Sequence, residues 1–328
     1  MLEKILTESV SILKNGYYIL RNTGLSITSK EEWISLAQNV FTHSYHFFEG
    51  KKSKRWNNLR GDRNPVFLLH GYFQNDSALS GINLNMRDFL GGDESYSRKA
   101  YSKIMGYVGR LGNGRITLTK YSLVIDGLEE YLFKNKIPVD RPSHGFYRNL
   151  NEIVDESIYR AEKIIKKYNK KIDLIGHSLG GLVSIYAAIK RPDLFQRVIA
   201  LAAPYRGTVM ANIAYTLTGG LAGKSAEQMR TNSKFIKKLN NTEIPKEILV
   251  YSIGAEYDLL VLPPASTYID DKPNIVNLTA RGVGHLGIIG PKTYPLILNI
   301  LNNNIERLDI NYKKQKEINR WIKTYSKN

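Results

Sequence analysis

A serine lies between two glycines in the stretch Lys171–Leu182, KIDLIGHSLGGL, where an apolar run gives way to small and helix-forming residues. This pattern predicts a strand, a sharp turn and a helix, which would hold the hydroxyl of Ser178 clear of the chain. Gly176 and Gly180 leave the space that crowded backbones need around such a turn, and His177 completes the predicted elbow. A serine held in this way is suited to nucleophilic catalysis, provided that a base takes its proton.

His285 is the only histidine that follows Ser178 along the chain. In a strand–serine–helix arrangement the nucleophile, the acid and the histidine occur in that order, so His285 is the candidate base. It lies in the glycine-flanked segment ARGVGHLGIIG, past the last predicted core strand, and from there its imidazole can reach back over the sheet.

The acid that would orient this imidazole must lie between Ser178 and His285. Asp258 and Glu256 both come just after the apolar run EILVYSIG, where a carboxylate would lie at the active edge of the sheet. Asp258 is the preferred candidate because the turn sequence LLVLPPAS follows it and would fix its position. The other candidates in this interval include Asp193, Glu227, Glu243, Glu247, Asp270 and Asp271.

Two backbone N–H groups are needed to bind the oxyanion of a tetrahedral intermediate. One is expected from Leu179, the first residue of the helix after the serine. The other is expected from the loop after the segment PVFLLHG, most simply from Tyr72. His70 precedes the serine in the chain, and we expect it to shape this loop rather than to carry protons.

The elements that would position these residues alternate between strands and helices. Helical patterns cover about Leu150 to Tyr168 and Leu179 to Lys190. Apolar runs predict strands in the segments PVFLLHG, KIPVDRP (Lys136–Pro142), KIDLIG, RVIALAAP, EILVYSIG and NIVNLT. This alternation predicts an α/β fold with a mainly parallel central sheet and helices on both faces.

Several segments lie outside that pattern. Residues 1–64 are predicted to form helices and a basic linker, and residues 304–328 a basic helical tail. Within a catalytic domain that spans residues 65–303, the polar stretch 83–113 is predicted to be an insertion and a candidate cap. Residues 209–226 begin with the apolar run VMANIAYTLTGGLA, for which a mobile lid and ordinary core packing are both open.

The formal charge of +17 over 328 residues is compatible with nucleic acid binding, with contact to anionic lipid, or with solubility alone. Nucleic acid is not expected as a partner, because the basic residues are scattered and no recognition motif accompanies them. There is no apolar run of membrane-spanning length and no signal-peptide core, so we expect a cytoplasmic protein that is at most peripheral to the membrane. The chain has no cysteine and its histidines do not cluster at ligand spacings, so no metal and no cofactor are expected.

The assembled residues resemble those of the α/β-hydrolase superfamily, and in particular bacterial triacylglycerol lipases and esterases. The resemblance covers roughly Pro65 to Asn303 and rests on the segments PVFLLHGY, IDLIGHSLGGLVS, LAAPYRGT, DLLVLPP and GVGHLGII. Glu227–Pro245 also resembles the helix before the acid strand in that group. Arg206 departs from the pattern, since the family often has a histidine near this position.

The resemblance implies hydrolysis of a carboxylic ester, from a small molecule or a lipid, through an acyl-Ser178 intermediate. His285 would first take the serine proton and later activate water. An acyltransferase or a thioesterase could use the same triad. A pseudo-hydrolase that binds lipid without turnover is a further alternative, although the intact serine, histidine and acid argue against it.

Overall fold

A parallel β-sheet forms the centre of the molecule. The computed structural model describes residues 21–24, 63–72, 74, 79, 82–85, 116–119, 122–125, 127–142, 144–145 and 147–303, with backbone alone for residues 82–85, 116–119 and 122–125. The strands are, in chain order, β1 (Val66–Leu69), β2 (Ile82–Asn85), β3 (Ile116–Thr119), β4 (Ser122–Ile125), β5 (Val139–Asp140), β6 (Ile172–His177), β7 (Phe195–Leu201), β8 (Leu249–Ala255) and β9 (Ile275–Ala280).

The central sheet has the order β5-β1-β6-β7-β8-β9, and every neighbouring pair is parallel. This confirms the predicted α/β fold with its mainly parallel sheet. The sequence predicts a strand over Lys136–Pro142, but β5 is only two residues long. It lies at the sheet edge between Pro138 and Pro142, and proline has no N–H group with which to extend the pairing.

Helices cover both faces of this sheet. They are α1 (Leu128–Lys134), α2 (Leu150–Tyr168), α3 (Leu179–Lys190), α4 (Val209–Leu217), α5 (Gly223–Met229), α6 (Lys234–Asn241) and α7 (Tyr294–Leu301). Because successive strand residues point to opposite faces, Phe67 and Leu69 of β1 pack in one core with α2 and α3, whereas Val66 and Leu68 pack in a second core with α1 and α7.

The long helices α2 and α3 have the bounds that the sequence predicts. The side chain of Asn149 accepts the N–H of Asn151 and caps the start of α2, and Asn169, with φ 51°, ends it in the left-handed conformation. The segment Glu227–Pro245, predicted as one helix, instead contains the end of α5 and all of α6. The break lets Arg230 form a parallel bridge with Thr208.

The remaining predicted segments are described only in part. The strands β2, β3 and β4 form a separate antiparallel sheet in the order β2-β4-β3, and the predicted insertion 83–113 lies outside the described residues except at its start in β2. Residues 21–24 are helical, while most of 1–64 and all of 304–328 lie outside the described residues. Among the helices that the structure describes, none has both the length and the apolar character needed to cross a membrane.

The first turn of α3 lies directly against the end of β1. A Cβ atom on Gly180 would lie 2.3 Å from the Leu69 carbonyl oxygen, and one on Gly176 would lie 2.2 Å from the carbonyl oxygen of Gly180. These distances are far below van der Waals contact, so the two glycines permit an approach that no other residue allows. The turn between β6 and α3 is thereby held against β1.

A buried ion pair joins β6 to β7. The Oδ1 atom of Asp173 lies 3.1 Å from Nε of Arg197, and both side chains are buried. Arg197 also donates through Nη1 to the carbonyl oxygen of Ile300, the next to last residue of α7. Burial raises the pKa of Asp173 from 3.8 to about 6, against the opposing effect of the Arg197 charge. The folded chain therefore holds a proton on Asp173 more tightly than the unfolded chain does.

We expect the stability of the wild type, measured relative to Asp173→Asn, to fall as the pH rises from about 4 to above 6. The raised pKa of Asp173 gives a contribution that is fully present below 3.8 and is lost as the pH rises through about 6. The loss amounts to about 3 kcal/mol over this range. Urea unfolding of both proteins across the range measures it, and a difference that is constant or grows with pH would contradict the expectation.

Candidate active site

Ser178 forms the turn between β6 and α3, with φ 54° and ψ −118°. A positive φ is unusual for a residue with a side chain and costs of order 1–3 kcal/mol, so the strained turn predicted from the sequence is confirmed. The N–H of Ser178 donates to the carbonyl oxygen of Leu201 at the end of β7, at 2.8 Å, which holds the turn on the sheet. The side chain is only 7% exposed.

The loop after β1 packs directly against this turn. A Cβ atom on Gly71 would lie 3.2 Å from Cβ of Ser178 and 2.8 Å from Nδ1 of His177. Tyr72 follows Gly71, and Leu179 is the first residue of α3, where an N–H group has no acceptor within the helix. Leu179 therefore directly follows the serine, and Tyr72 directly follows a residue that packs against it.

Asp258 and His285, which the sequence predicts as acid and base, lie in contact. Nδ1 of His285 is 3.0 Å from Oδ1 and 2.9 Å from Oδ2 of Asp258, and both side chains are buried. Oδ1 also accepts the N–H groups of Leu260 and Val261, each at 2.8 Å. With its Nδ1–H directed at the carboxylate, a neutral imidazole keeps its lone pair on Nε2.

The other candidate acid after β8, Glu256, has a different partner. Its Oε2 accepts the N–H of Gly282 at 2.9 Å, so it joins the two chain segments that carry Asp258 and His285. Arg206, which stands where the resemblance suggests a histidine, binds Asp270 at 2.7 Å and donates to the carbonyl oxygen of Tyr268.

His177 lies between the serine turn and His285. The two imidazole rings have centroids 4.7 Å apart, and Nε2 of His177 lies 2.8 Å from the backbone oxygen of His285. Its Nδ1 lies 3.0 Å from Oε1 of Gln74, which also accepts the N–H of Gly71. Burial, more than the proximity of His285, lowers the pKa of His177 well below its ordinary value. These partners are 103 and 108 residues distant in the chain, so no local pattern predicts them.

The ring of His70 is held by contacts on both of its nitrogens. Nδ1 lies 3.0 Å from the carbonyl oxygen of Gly71 and donates to it, while Nε2 accepts the N–H of His144 at 3.2 Å. The rings of His70 and His144 stack at 3.7 Å, and burial lowers the pKa of His144 to about 2. Because a peptide unit is planar and trans, the His70 contact directs the Tyr72 N–H away from that ring. Despite these histidines, the described ranges contain no group of three or more side chains that could hold a metal ion.

The segment 209–226 reaches the site through Tyr72. The hydroxyl of Tyr72 donates to the carbonyl oxygen of Ala222. On the other side, the N–H of Lys224 donates to the carbonyl oxygen of Tyr147 at 3.0 Å. The segment from Ala222 to Lys224 therefore hydrogen-bonds to both the loop after β1 and the loop before α2.

Asn22, from the helical residues 21–24, also contacts the site. Its side chain is fully buried, and Nδ2 donates to the backbone oxygen of Asp258 at 2.6 Å. This contact could not be foreseen, because the first 64 residues lie outside the resemblance and carry no motif that relates them to the acid.

Residues 156–252 match the model of the family described as "Putative esterase". Among solved structures, the lipase BlEst2 of Bacillus licheniformis in its mature form is 15% identical, with 77% of this chain and 96% of that chain covered and a TM-score of 0.49. Est1E from Butyrivibrio proteoclasticus is 14% identical, with 75% and 88% covered and a TM-score of 0.41. The Pyrococcus furiosus esterase Pf2001 is 17% identical, with 75% and 82% covered and a TM-score of 0.43.

A parallel sheet with a strained serine between a central strand and the following helix is the arrangement of the α/β-hydrolases. The esterase match, residues 156–252, includes β6, the serine turn, α3, β7 and most of β8. The chain therefore has the α/β-hydrolase fold, and the esterase match over residues 156–252 supports a carboxylic ester hydrolase.

Proposed function

We propose that the chain cleaves esters through an acyl-enzyme on Ser178, with His285 as the base and Asp258 as the acid. The observation that carries the proposal is the contact of His285 Nδ1 with both carboxylate oxygens of Asp258, at 3.0 and 2.9 Å. A carboxylate in this position orients the ring and stabilises the imidazolium that forms during the reaction.

In the proposed first step, Nε2 of His285 takes the hydroxyl proton while Oγ of Ser178 bonds to the ester carbonyl carbon. The electron pair of the carbonyl double bond moves to its oxygen. When this intermediate collapses, the carbon–oxygen bond to the alcohol breaks and the alcohol leaves with the proton from His285. Water then attacks the acyl-enzyme in the same way, and the carboxylic acid is released.

The negative charge on the carbonyl oxygen is proposed to be bound by the N–H groups of Leu179 and Tyr72. Leu179 begins α3, and the helix dipole favours negative charge at that end. The peptide unit of Tyr72 is supported by two donors to the Gly71 oxygen, the His70 ring at 3.0 Å and the N–H of Gln74 at 3.3 Å. Such donors matter because the loss of one costs about 2.7–4 kcal/mol of transition-state stabilisation.

We expect Ser178→Ala to abolish turnover of p-nitrophenyl esters and labelling by a fluorophosphonate, because no acyl-enzyme can form. Turnover is measured over a series from short to long acyl chains, and the labelled residue is located by mass spectrometry. Ser184→Ala is the matched control, since Ser184 is also buried on α3 but donates to the Gly180 oxygen at 2.8 Å. Undiminished turnover in Ser178→Ala, or a label on another serine, would contradict the proposal.

Asp258→Asn is expected to lower kcat by a factor of about 10⁴, because an amide at this position favours the wrong tautomer of His285. Glu256→Gln is the control, because Glu256 is the neighbouring carboxylate and contacts the Gly282 N–H instead. The measurement is kcat on one soluble p-nitrophenyl ester for both variants. Equal losses in the two variants would show that Asp258 is not the specific partner of the base.

We also propose that residues 209–226 act as a lid that contacts a lipid surface. Leu217 is 81% exposed and Leu221 is 90% exposed, while α4 buries only Ala211. The net charge of +17 would favour anionic lipid. Because Ser178 is 7% exposed, substrate entry requires movement near it, and the hydrogen bond from the Tyr72 hydroxyl to the Ala222 carbonyl oxygen makes this segment the candidate.

The double substitution Leu217→Ser and Leu221→Ser is expected to weaken binding to anionic phospholipid vesicles by at least about tenfold, since a buried leucine contributes about 1.5–3 kcal/mol. Vesicle sedimentation at low salt measures the binding. Tyr159→Ser provides the control, because Tyr159 is 60% exposed on α2. The absence of wild-type binding, or an equal loss in the control, would exclude this surface.

A further inference from the structure

His177 closes β6 next to Ser178, but the proposed mechanism gives it no task. Its side chain is 2% exposed and makes two polar contacts, one with each of two chain segments. Nε2 lies 2.8 Å from the backbone oxygen of His285, and Nδ1 lies 3.0 Å from Oε1 of Gln74. A ring that only filled space would not need a polar partner on each nitrogen.

The orientation of Gln74 is fixed independently of His177. Its Oε1 accepts the N–H of Gly71 at 2.8 Å, so the amide oxygen is the atom that also faces His177. The backbone oxygen of His285 can likewise only accept a hydrogen bond. Both contacts therefore require a hydrogen from the imidazole, and a neutral ring supplies it to one of them at a time.

The His285 backbone has little other support. In the part of the chain that the structure describes, the Nε2 contact of His177 is the one polar contact found for the His285 carbonyl oxygen, and it is a hydrogen bond when the ring hydrogen is on Nε2. The neighbouring bonds, from Tyr257 N–H to the Val283 oxygen and from Ile288 N–H to the Gly284 oxygen, hold the flanks of this loop.

We propose that His177, which contacts both Gln74 and the His285 backbone, is a positioning residue that sets the base His285 relative to the loop after β1. The inference rests on the proposed function, because that loop carries the expected oxyanion donor and His285 the expected base. A displacement of about 1 Å between such groups can cost up to 10²-fold in rate. A single ring that contacts both segments fixes this separation without touching the substrate.

The first test is steady-state kinetics of His177→Phe, His177→Gln and His177→Asn on a soluble p-nitrophenyl ester. His177→Phe keeps the ring volume but has no donor, and its kcat is expected to fall by about tenfold to 10²-fold with KM nearly unchanged. The amide nitrogen of a glutamine can replace Nε2 as a hydrogen-bond donor, and the amide nitrogen of an asparagine can replace Nδ1. His177→Gln is therefore expected to recover kcat more fully than His177→Asn.

A double-mutant cycle with Gln74→Met tests whether the two residues act as one unit. The double variant His177→Phe, Gln74→Met is expected to be no slower than the slower single variant. Asn277→Ala is the control for general destabilisation, since Asn277 is buried and bonds the backbone of Ile269 on both sides, at 3.0 and 2.8 Å. Its kcat per folded molecule is expected to remain at the wild-type value. Losses that are additive, or that follow thermal stability alone, overturn the proposal.

A second readout does not depend on turnover. The Nδ1 proton of His285, shared with Asp258, is expected to give a protected downfield NMR signal in the wild type and in His177→Gln. In His177→Phe its exchange with water is expected to be faster, and unchanged exchange overturns the proposal. A wild type that hydrolyses no ester but shows this pattern would refute the proposed function alone, whereas a normal kcat in His177→Phe would refute only the role of His177.

Discussion

The close approach of α3 to the end of β1 is the constraint on which the site depends. It requires Gly176 and Gly180, because a side chain at either position would overlap backbone atoms. The approach places the loop after β1 beside Ser178, which has a positive φ. Such strain persists only where the surroundings over-determine it. Here the bond from Ser178 N–H to the Leu201 oxygen and the buried position of the turn supply that support.

The sequence predicts best those elements whose pattern is local. The bounds of α2 and α3 follow from periodicity and capping, and the order of apolar runs indicates a parallel sheet. The prediction of helix and strand bounds is less accurate where tertiary contacts or single residues override the hydrophobic pattern. The helix predicted over Glu227–Pro245 is interrupted at Arg230, which pairs with Thr208, about twenty residues earlier. The shortness of β5 has a local cause instead, the prolines on either side of it, which the apolar pattern does not take into account. Neither effect has a signal in the local pattern of hydrophobic residues.

In the candidate site, too, some residues can be identified from sequence patterns and others cannot. Chain order and position after a strand are enough to select Ser178, Asp258 and His285 as candidates, and the structure brings the last two into contact. The residues around them are not predictable from one sequence. Gln74 and Asn22 carry no motif, and they acquire partners only because the fold brings distant segments together.

Most polar groups of the site form hydrogen bonds with other groups of the site. Oδ1 of Asp258 has three donors, and both ring nitrogens of His70 are engaged. Since a buried polar group left without a partner costs about 1–3 kcal/mol, rearrangement within this network is unfavourable, and its geometry is preorganised for a developing charge. Segments with few buried contacts move most easily, and α4, which buries a single residue, belongs to the proposed lid. In the proposed function, the rigid reacting groups and the movable lid thus belong to different parts of the chain.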